Sequence, residues 1–293
     1  MRRTRIRYKK LFFCLLFLAA LTYGLVWGAV TVFTHLTGPD AASGEDATEY
    51  YLFLGLGKEP PDEAAAVWLM AYNQKIKEIY FIAIPECTRI SAENEPILLL
   101  GSEYKNKSAE RLVSSVENLL HIRIKHYAVV DETTFANLIG NGRPLEMYVE
   151  KDMRHQDGSG RTDISLRRGV QTLDGESAYA YMRFLENPED EIGRIRRNQR
   201  LIKSFLAMQK ENSKLHNRFT LQLDWAPLGT DISAAEAGAL AAAITTMPSD
   251  NIHFMILPGK FNTVETIRVW DINPVELQSA IGAVLGQNVE KEK

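Results

Sequence analysis

Three arginines and an amide stand close together in the second half of this 293-residue chain: Arg183, Arg194, Arg197 and Gln199. They lie in the run Tyr181-Met-Arg183-Phe-Leu-Glu-Asn-Pro-Glu-Asp-Glu-Ile-Gly193-Arg194-Ile-Arg-Arg197-Asn-Gln199. Arg194 and Arg197 are three residues apart, about 60° on a helical wheel, so both can project from one helix face. Gly193 lets a ligand approach the first turn, where free N–H groups and the helix dipole favour an anion. Arg183 can add a third guanidinium. Planar forks of this kind bind phosphate oxygens in pairs, and several together suit a pyrophosphate. A plainer reading is that Glu189, Asp190 and Glu191 pair with these arginines around a helix start, Asp190 to Arg194 being an i,i+4 pair. Spacing alone leaves both readings open.

Other chemistry is sparse. Cys87 ends an apolar run with no histidine beside it, which reads as a small buried hydrophobe before it reads as a nucleophile. The second cysteine, Cys14, sits in an N-terminal apolar stretch on the other side of any folding event, so no intrachain disulfide is expected. The six histidines are scattered, and no Cys/His spacing suggests zinc.

The elements that must carry the arginines follow from pattern. Tyr50 to Leu56 is a buried-strand run, ended by Pro60-Pro61. Val67–Tyr72 and Glu78–Ile84, split by Asn73-Gln74-Lys75, read as a hairpin. Ser108 opens a helix to Leu120 with Leu112, Val113, Val116, Leu119 and Leu120 on one face. Tyr127–Val130 is a strand, Glu132–Ile139 a helix and Leu145–Val149 a strand. Asp174 caps a short helix running toward Tyr181, and a longer helix from near Ile192 to about Lys210 bears Arg194 and Arg197. Ser233-Ala-Ala-Glu236 is a capping box opening a helix to about Thr246, flanked by strands near 219–223 and 252–257. This alternation predicts an α/β fold whose central, mainly antiparallel or mixed sheet is sandwiched by helices.

The N-terminus sets the topology. Arg2, Arg3, Arg5, Arg7, Lys9 and Lys10 precede a run from Leu11 to Thr34 that has no charged side chain. As a helix that run reaches roughly 36 Å, enough to cross a hydrocarbon core of ~30 Å. Basic residues collect on the cytoplasmic side of a first span, so the expected order is a basic inner tail (1–10), one transmembrane helix (11–34) and a linker (35–49). One extracytoplasmic domain (50–287) and a charged tail (288–293) follow. The apolar run is too long for a cleaved signal peptide, and Trp27-Gly28-Ala29 is a poor cleavage site. Charged residues at 24% and hydrophobic residues at 45% place the outer part among globular domains rather than disordered chains. The net charge of −3 includes the basic tail, so no domain-wide basic field exists to hold nucleic acid.

Gly169-Val-Gln-Thr-Leu-Asp-Gly-Glu-Ser-Ala-Tyr-Ala-Tyr-Met-Arg183-Phe, followed by Gly193-Arg194-Ile-Arg-Arg197-Asn-Gln199, resembles the signature of the LytR–CpsA–Psr family. Tyr80-Phe-Ile-Ala-Ile-Pro85 with Thr88 resembles the family's strand ending in a Pro-Arg-Asp-Thr turn. Val116-Glu-Asn-Leu-Leu-His-Ile with Tyr127-Ala-Val-Val-Asp131 resembles its next helix and strand, and Leu257-Pro-Gly259 with Trp270 and Asp271 its terminal part. The likeness covers roughly residues 50 to 285. It implies an anchored extracytoplasmic phosphotransferase that uses Mg²⁺ to move glycopolymers from polyprenyl-pyrophosphate carriers onto peptidoglycan, with the isoprenoid tail in an apolar tunnel between sheet and helices. The resemblance assigns Arg183 and Arg194 to catalysis, and Arg183, Arg194, Arg197 and Gln199 to the pyrophosphate.

This sequence departs from the family's pattern where the metal belongs. Two Mg²⁺ carboxylates expected from the resemblance fall on Gly57 and Ala65, and an active-site arginine falls on Glu86. A second arginine, two residues after Arg183, reads Leu185. Neither Gly nor Ala offers a side-chain oxygen to Mg²⁺. Asp62, Glu63 and Glu86 are the acids nearby, and a solvated acidic loop is the weightier reading of them. Lys58 and Arg89 are the candidate substitute cations, Arg89 the better placed. Two functions follow: a divergent transferase, or a catalytically inactive relative that binds a polyprenyl (pyro)phosphate lipid or a wall-assembly partner.

Overall fold

Alternation along the first strand explains the centre of the fold. Leu52 and Leu54 point to one side and Tyr51 and Phe53 to the other, so the strand is apolar on both faces and must lie inside a sheet. In the computed structural model the described residues are 48–57, 63–92, 95–106, 108–140, 144–187, 190–212, 229–282 and 284. The basic tail, the apolar run 11–34, Lys58, Pro60, Pro61, Asp62, Pro188, Glu189, the strand expected near 219–223 and the charged C-terminal tail lie outside them. No helix among the described residues is long and apolar enough to cross a membrane.

The first half runs β1 (Thr48–Leu56), β2 (Ala64–Asn73), β3 (Glu78–Ile84), a 3₁₀ turn (Leu100–Glu103), α1 (Glu110–Leu120), β4 (Ile124–Val130) and α2 (Glu132–Gly140). Two small ladders follow, from β5 (Leu145–Val149), β6 (Met153–Gln156), β7 (Thr162–Leu166) and β8 (Gly169–Leu173). Then come α3 (Gly175–Arg183), α4 (Glu191–Asn212), β9 (Gly229–Thr230), α5 (Ala234–Thr246), β10 (Ile252–Ile256), β11 (Gly259–Val264), β12 (Ile267–Ile272) and α6 (Pro274–Gly282).

The main sheet has the order β10-β3-β2-β1-β4-β9. Its β1–β2, β2–β3 and β4–β9 pairs are antiparallel, and its β1–β4 and β10–β3 pairs parallel, so the expected sheet is of the mixed kind. The β2–β3 hairpin forms as its polar turn requires, with Asn73 Oδ1 accepting from the amides of Lys75 (3.0 Å) and Ile76 (3.2 Å). On one face α1 buries Leu112, Val116 and Leu120 against Leu52, Leu54, Leu69 and Ile82. The helix starts at Glu110, with Ser108 Oγ accepting from the Glu110 amide (3.3 Å). On the other face α4 and α5 lay Ile195, Ala237 and Leu240 on Tyr51, Trp68, Met70 and Phe81. The capping box at Ser233 and Glu236 is formed, and Asp174 caps α3 by accepting from the Ser177 amide.

Six strands, β6, β7, β8, β9, β11 and β12, went unforeseen. Most of their outward residues are polar or only partly buried, so period-two alternation is faint in them. The ladders β5–β8 and β6–β7 nonetheless supply a second core, in which Met147, Val149, Met153, Ile164 and Leu166 gather with Tyr181, Phe184 and Leu201. That core fixes the C-terminal end of α3, which carries Arg183, beside α4.

Candidate functional site

Helix α4 carries a stripe at positions 194, 198, 201, 202 and 205, the spacing of one helical face. Opposite this stripe the sheet is recessed, because the end of β1, Gly57 just beyond it and the start of β2 present Gly55, Gly57, Ala65 and Ala66. A Cβ on Gly55 would stand 3.2 Å from Ala66 Cβ, so Gly55 itself has little room for a side chain. Between stripe and recess lies a cavity of about 310 Å³. Phe53, Leu54, Leu56, Trp68 and Phe81 line it from the sheet, Leu201, Ile202, Phe205 and Leu206 from α4, and Phe135, Tyr179 and Met182 from α2 and α3. Its polar lining comes from Arg183, Arg194 and Asn198.

Each of these groups is held. Arg183, in the last turn of α3, donates Nη2 to Asp163 Oδ2 at 2.6 Å. Asp163 Oδ1 in turn contacts His155 Nδ1 at 2.6 Å, across the β6–β7 ladder. Desolvation pushes Asp163 up, but the hydrogen bonds from Arg183 and His155 outweigh it and hold the carboxyl down at about 2. Arg183 Nε is buried and makes no hydrogen bond within the protein.

Arg194, in the first turn of α4, donates Nη2 to Glu191 at 2.7 Å and to Glu86, which reaches it from the turn after β3. Burial raises Glu86, Arg194 pulls it back, and the nearby Glu191 carboxylate adds to the rise, leaving Glu86 at about 8. Burial, with Glu191 and Glu86 close by, pushes the Cys87 thiol up to about 12, so it is not a poised nucleophile.

The other residues singled out by sequence go elsewhere. Arg197 is 2% exposed and ties the α3–α4 connection to α4, donating to the Phe184 carbonyl (2.6 Å) and Asp190 (3.0 Å). Arg89 pairs with Asp271 at 3.1 Å. Gln199 is half-buried, and neither it, Arg197 nor Arg89 lines the cavity. The pairing of acids with arginines is therefore real, but its partners differ from the i,i+4 expectation: Asp190 serves Arg197, while Arg194 takes Glu191 and Glu86. Gly193 also acts differently. A Cβ there would strike the Asp190 carboxylate, so the glycine makes room for the Asp190–Arg197 pair instead of for a ligand.

Asn198 was missed, and the wheel could have found it. It follows Arg194 by four residues, about 40° away, whereas Gln199 is about 140° away. It is 4% exposed, and its amide nitrogen is placed to donate to the carbonyls of Met182 (2.9 Å) and Arg194 (3.3 Å).

The residues described here do not fit the Mg²⁺ that the family resemblance implies. Gly57 and Ala65 border the cavity beside Arg183 and Arg194 without a side-chain oxygen. Among the described residues no group of three or more His, Cys, Asp or Glu side chains gathers to hold a metal. The nearest acids are already bonded to the two arginines.

The sequence model described as the LytR_cpsA_psr family matches residues 53–283. Regulatory protein MsrR of Staphylococcus aureus (strain COL) is 34% identical over 107 residues, 36% of this chain and 31% of that protein. Polyisoprenyl-teichoic acid–peptidoglycan teichoic acid transferase TagV of Bacillus subtilis (strain 168) is 26% identical over 157 residues, 51% of this chain and 40% of that protein. The chain thus spans less than half the length of these curated relatives. The crystal structure of B. subtilis TagV superposes with a TM-score of 0.67 at 19% identity, covering 82% of this chain and 97% of that one. A structure of TagT bound to LI-WTA gives 0.64 at 20% identity, covering 84% and 98%. These structural likenesses establish the fold.

Proposed function

This chain belongs to the LytR–CpsA–Psr family, and from that premise we propose that it serves cell-envelope assembly by holding a polyprenyl lipid with a phosphate-bearing headgroup. The cavity carries this reading. Its walls are aliphatic and aromatic, as an isoprenoid chain requires, and its charged lining is two guanidiniums, Arg183 and Arg194. On this reading the lipid belongs to the attachment of glycopolymer to the wall, in keeping with the name of the relative TagV. The uncharged run 11–34 serves as a single span with its arginines inside, which holds the domain at the outer leaflet where such a lipid presents its headgroup.

A second reading is metal-dependent transfer of that glycopolymer. Gly57, Ala65 and the Glu86–Arg194 pair favour holding over transferring, because positions 57 and 65 offer a metal no side-chain oxygen and Arg194 is already shared between two acids.

Both readings meet one experiment on the full chain in detergent. Polyprenyl phosphate should quench Trp68 emission saturably, and Trp68→Phe should abolish that signal. Polyprenyl pyrophosphate incubated with Mg²⁺ or Mn²⁺ should release no phosphate above a metal-free blank. Metal-dependent release would put transfer first, and the lack of any saturable quench would remove the lipid.

A further inference from the structure

The turn after β3 is built to deliver a carboxylate. The Thr88 amide (2.9 Å) and hydroxyl (2.6 Å) both donate to the Pro85 carbonyl and close it. From one side the Gly101 amide donates to the Glu86 carbonyl at 2.8 Å, and from the other the Trp270 amide donates to the Cys87 carbonyl at 2.8 Å. A Cβ on Gly101 would stand 3.0 Å from Glu86 Cβ, so a glycine is what lets the two segments pack this closely. Held in this way, Glu86 shares Arg194 Nη2 with Glu191.

The charges around it leave no positive surplus. Asp163 and Glu191 balance the two guanidiniums that line the cavity, and Glu86 is a third carboxyl group bonded to Arg194. Cys87 stays a neutral thiol. Arg89 is occupied by Asp271, and Glu103 of the 3₁₀ turn by Arg111. Arg268 of β12 acts on the Cys87 side of the turn. A headgroup with several negative charges would have to displace fixed carboxylates that are already hydrogen-bonded.

We infer that Glu86 is a specificity-determining residue: held on Arg194, its carboxylate form makes the cavity select a polyprenyl lipid with a single phosphate over one with a pyrophosphate. The inference rests on the lipid-holding reading and narrows its ligand. Its strength grows with pH, because burial raises the Glu86 carboxyl and the Glu191 carboxylate adds to the rise, so the proton leaves only in mildly alkaline solution. Below that the cluster is neutral and admits one phosphate; above it Glu86 adds a charge that repels the more anionic headgroup most.

The test compares polyprenol, polyprenyl phosphate and polyprenyl pyrophosphate of one chain length on the full-length protein in detergent, read by Trp68 quenching at pH 6 and pH 9. At pH 9 the wild type should favour the monophosphate by about tenfold or more, and Glu86→Gln should shrink that preference to about threefold or less. At pH 6 the two proteins should agree. Glu191→Gln, which removes the neighbouring charge that raises Glu86, should move the wild-type transition to lower pH. A wild type that binds pyrophosphate as tightly as monophosphate at pH 9, or a Glu86→Gln profile identical to wild type at both pH values, overturns the inference while leaving the lipid reading intact. Failure of all three lipids to quench Trp68 removes the lipid reading, and the inference with it.

Discussion

Arg183 and Asp163 meet across 2.6 Å, joining the last turn of α3 to the β6–β7 ladder. One edge of the guanidinium is thereby committed, while its buried Nε makes no hydrogen bond within the protein. On the lipid-holding reading, Asp163 is a positioning residue for the proposed anion site, acting through Arg183. Asp163→Asn should weaken polyprenyl phosphate binding about tenfold, ~1.4 kcal/mol, and leave polyprenol binding unchanged. A structural defect would weaken both lipids alike.

The same pair has a signature in acid. Asp163 titrates at about 2 folded against an ordinary 3.8, so its contribution is present above 3.8 and is lost as pH falls through 2. Glu86 runs the other way. Its folded value of about 8 exceeds the ordinary 4.5, so the folded state holds the extra proton between them and stability falls as pH rises across that window. Thermal melts from pH 4.5 to 8.5 should show this decline in the wild type and a flatter profile in Glu86→Gln. An equal decline in both would assign it to other groups.

How much of this was legible in the sequence depends on what each residue's neighbours repeat. The β1–β3 strands, α1 with its five apolar positions and the Ser233 capping box all announce themselves through local periodicity or capping chemistry. The small ladders do not, and with them went Asp163, a lone acid twenty residues before the arginine it serves. Glu86 read as a loop acid because nothing local says that Gly101 and Trp270 clamp its turn toward Arg194. The cavity was illegible for a different reason. Leu201, Ile202 and Phe205 form the same stripe that a filled core would use, and the void comes from the small residues opposite, Gly55, Gly57, Ala65 and Ala66.

Those small residues make the cavity testable by filling it. Ala66→Phe places a ring where the lipid chain is proposed to lie. It should lower affinity for polyprenol and polyprenyl phosphate alike, by about tenfold or more, and change folding stability by less than about 1.5 kcal/mol because the space is already there. Unchanged binding of both lipids in a folded Ala66→Phe protein would place the isoprenoid elsewhere.

Arg183 and Arg197 look alike in the sequence and differ in what holds them, so one substitution separates their roles. Arg197 is buried, and its loss strands the Asp190 carboxylate and the Phe184 carbonyl without their donor. Arg197→Ala should cost ~3 kcal/mol or more in urea unfolding. Arg183 borders the cavity, and Asp163 keeps His155 when it is removed. Arg183→Ala should cost under about 1.5 kcal/mol in stability, yet abolish the preference for phosphate-bearing lipid over polyprenol. If Arg183→Ala proves as destabilising as Arg197→Ala and leaves that preference in place, Arg183 is a structural tie and the anion must be bound by another group.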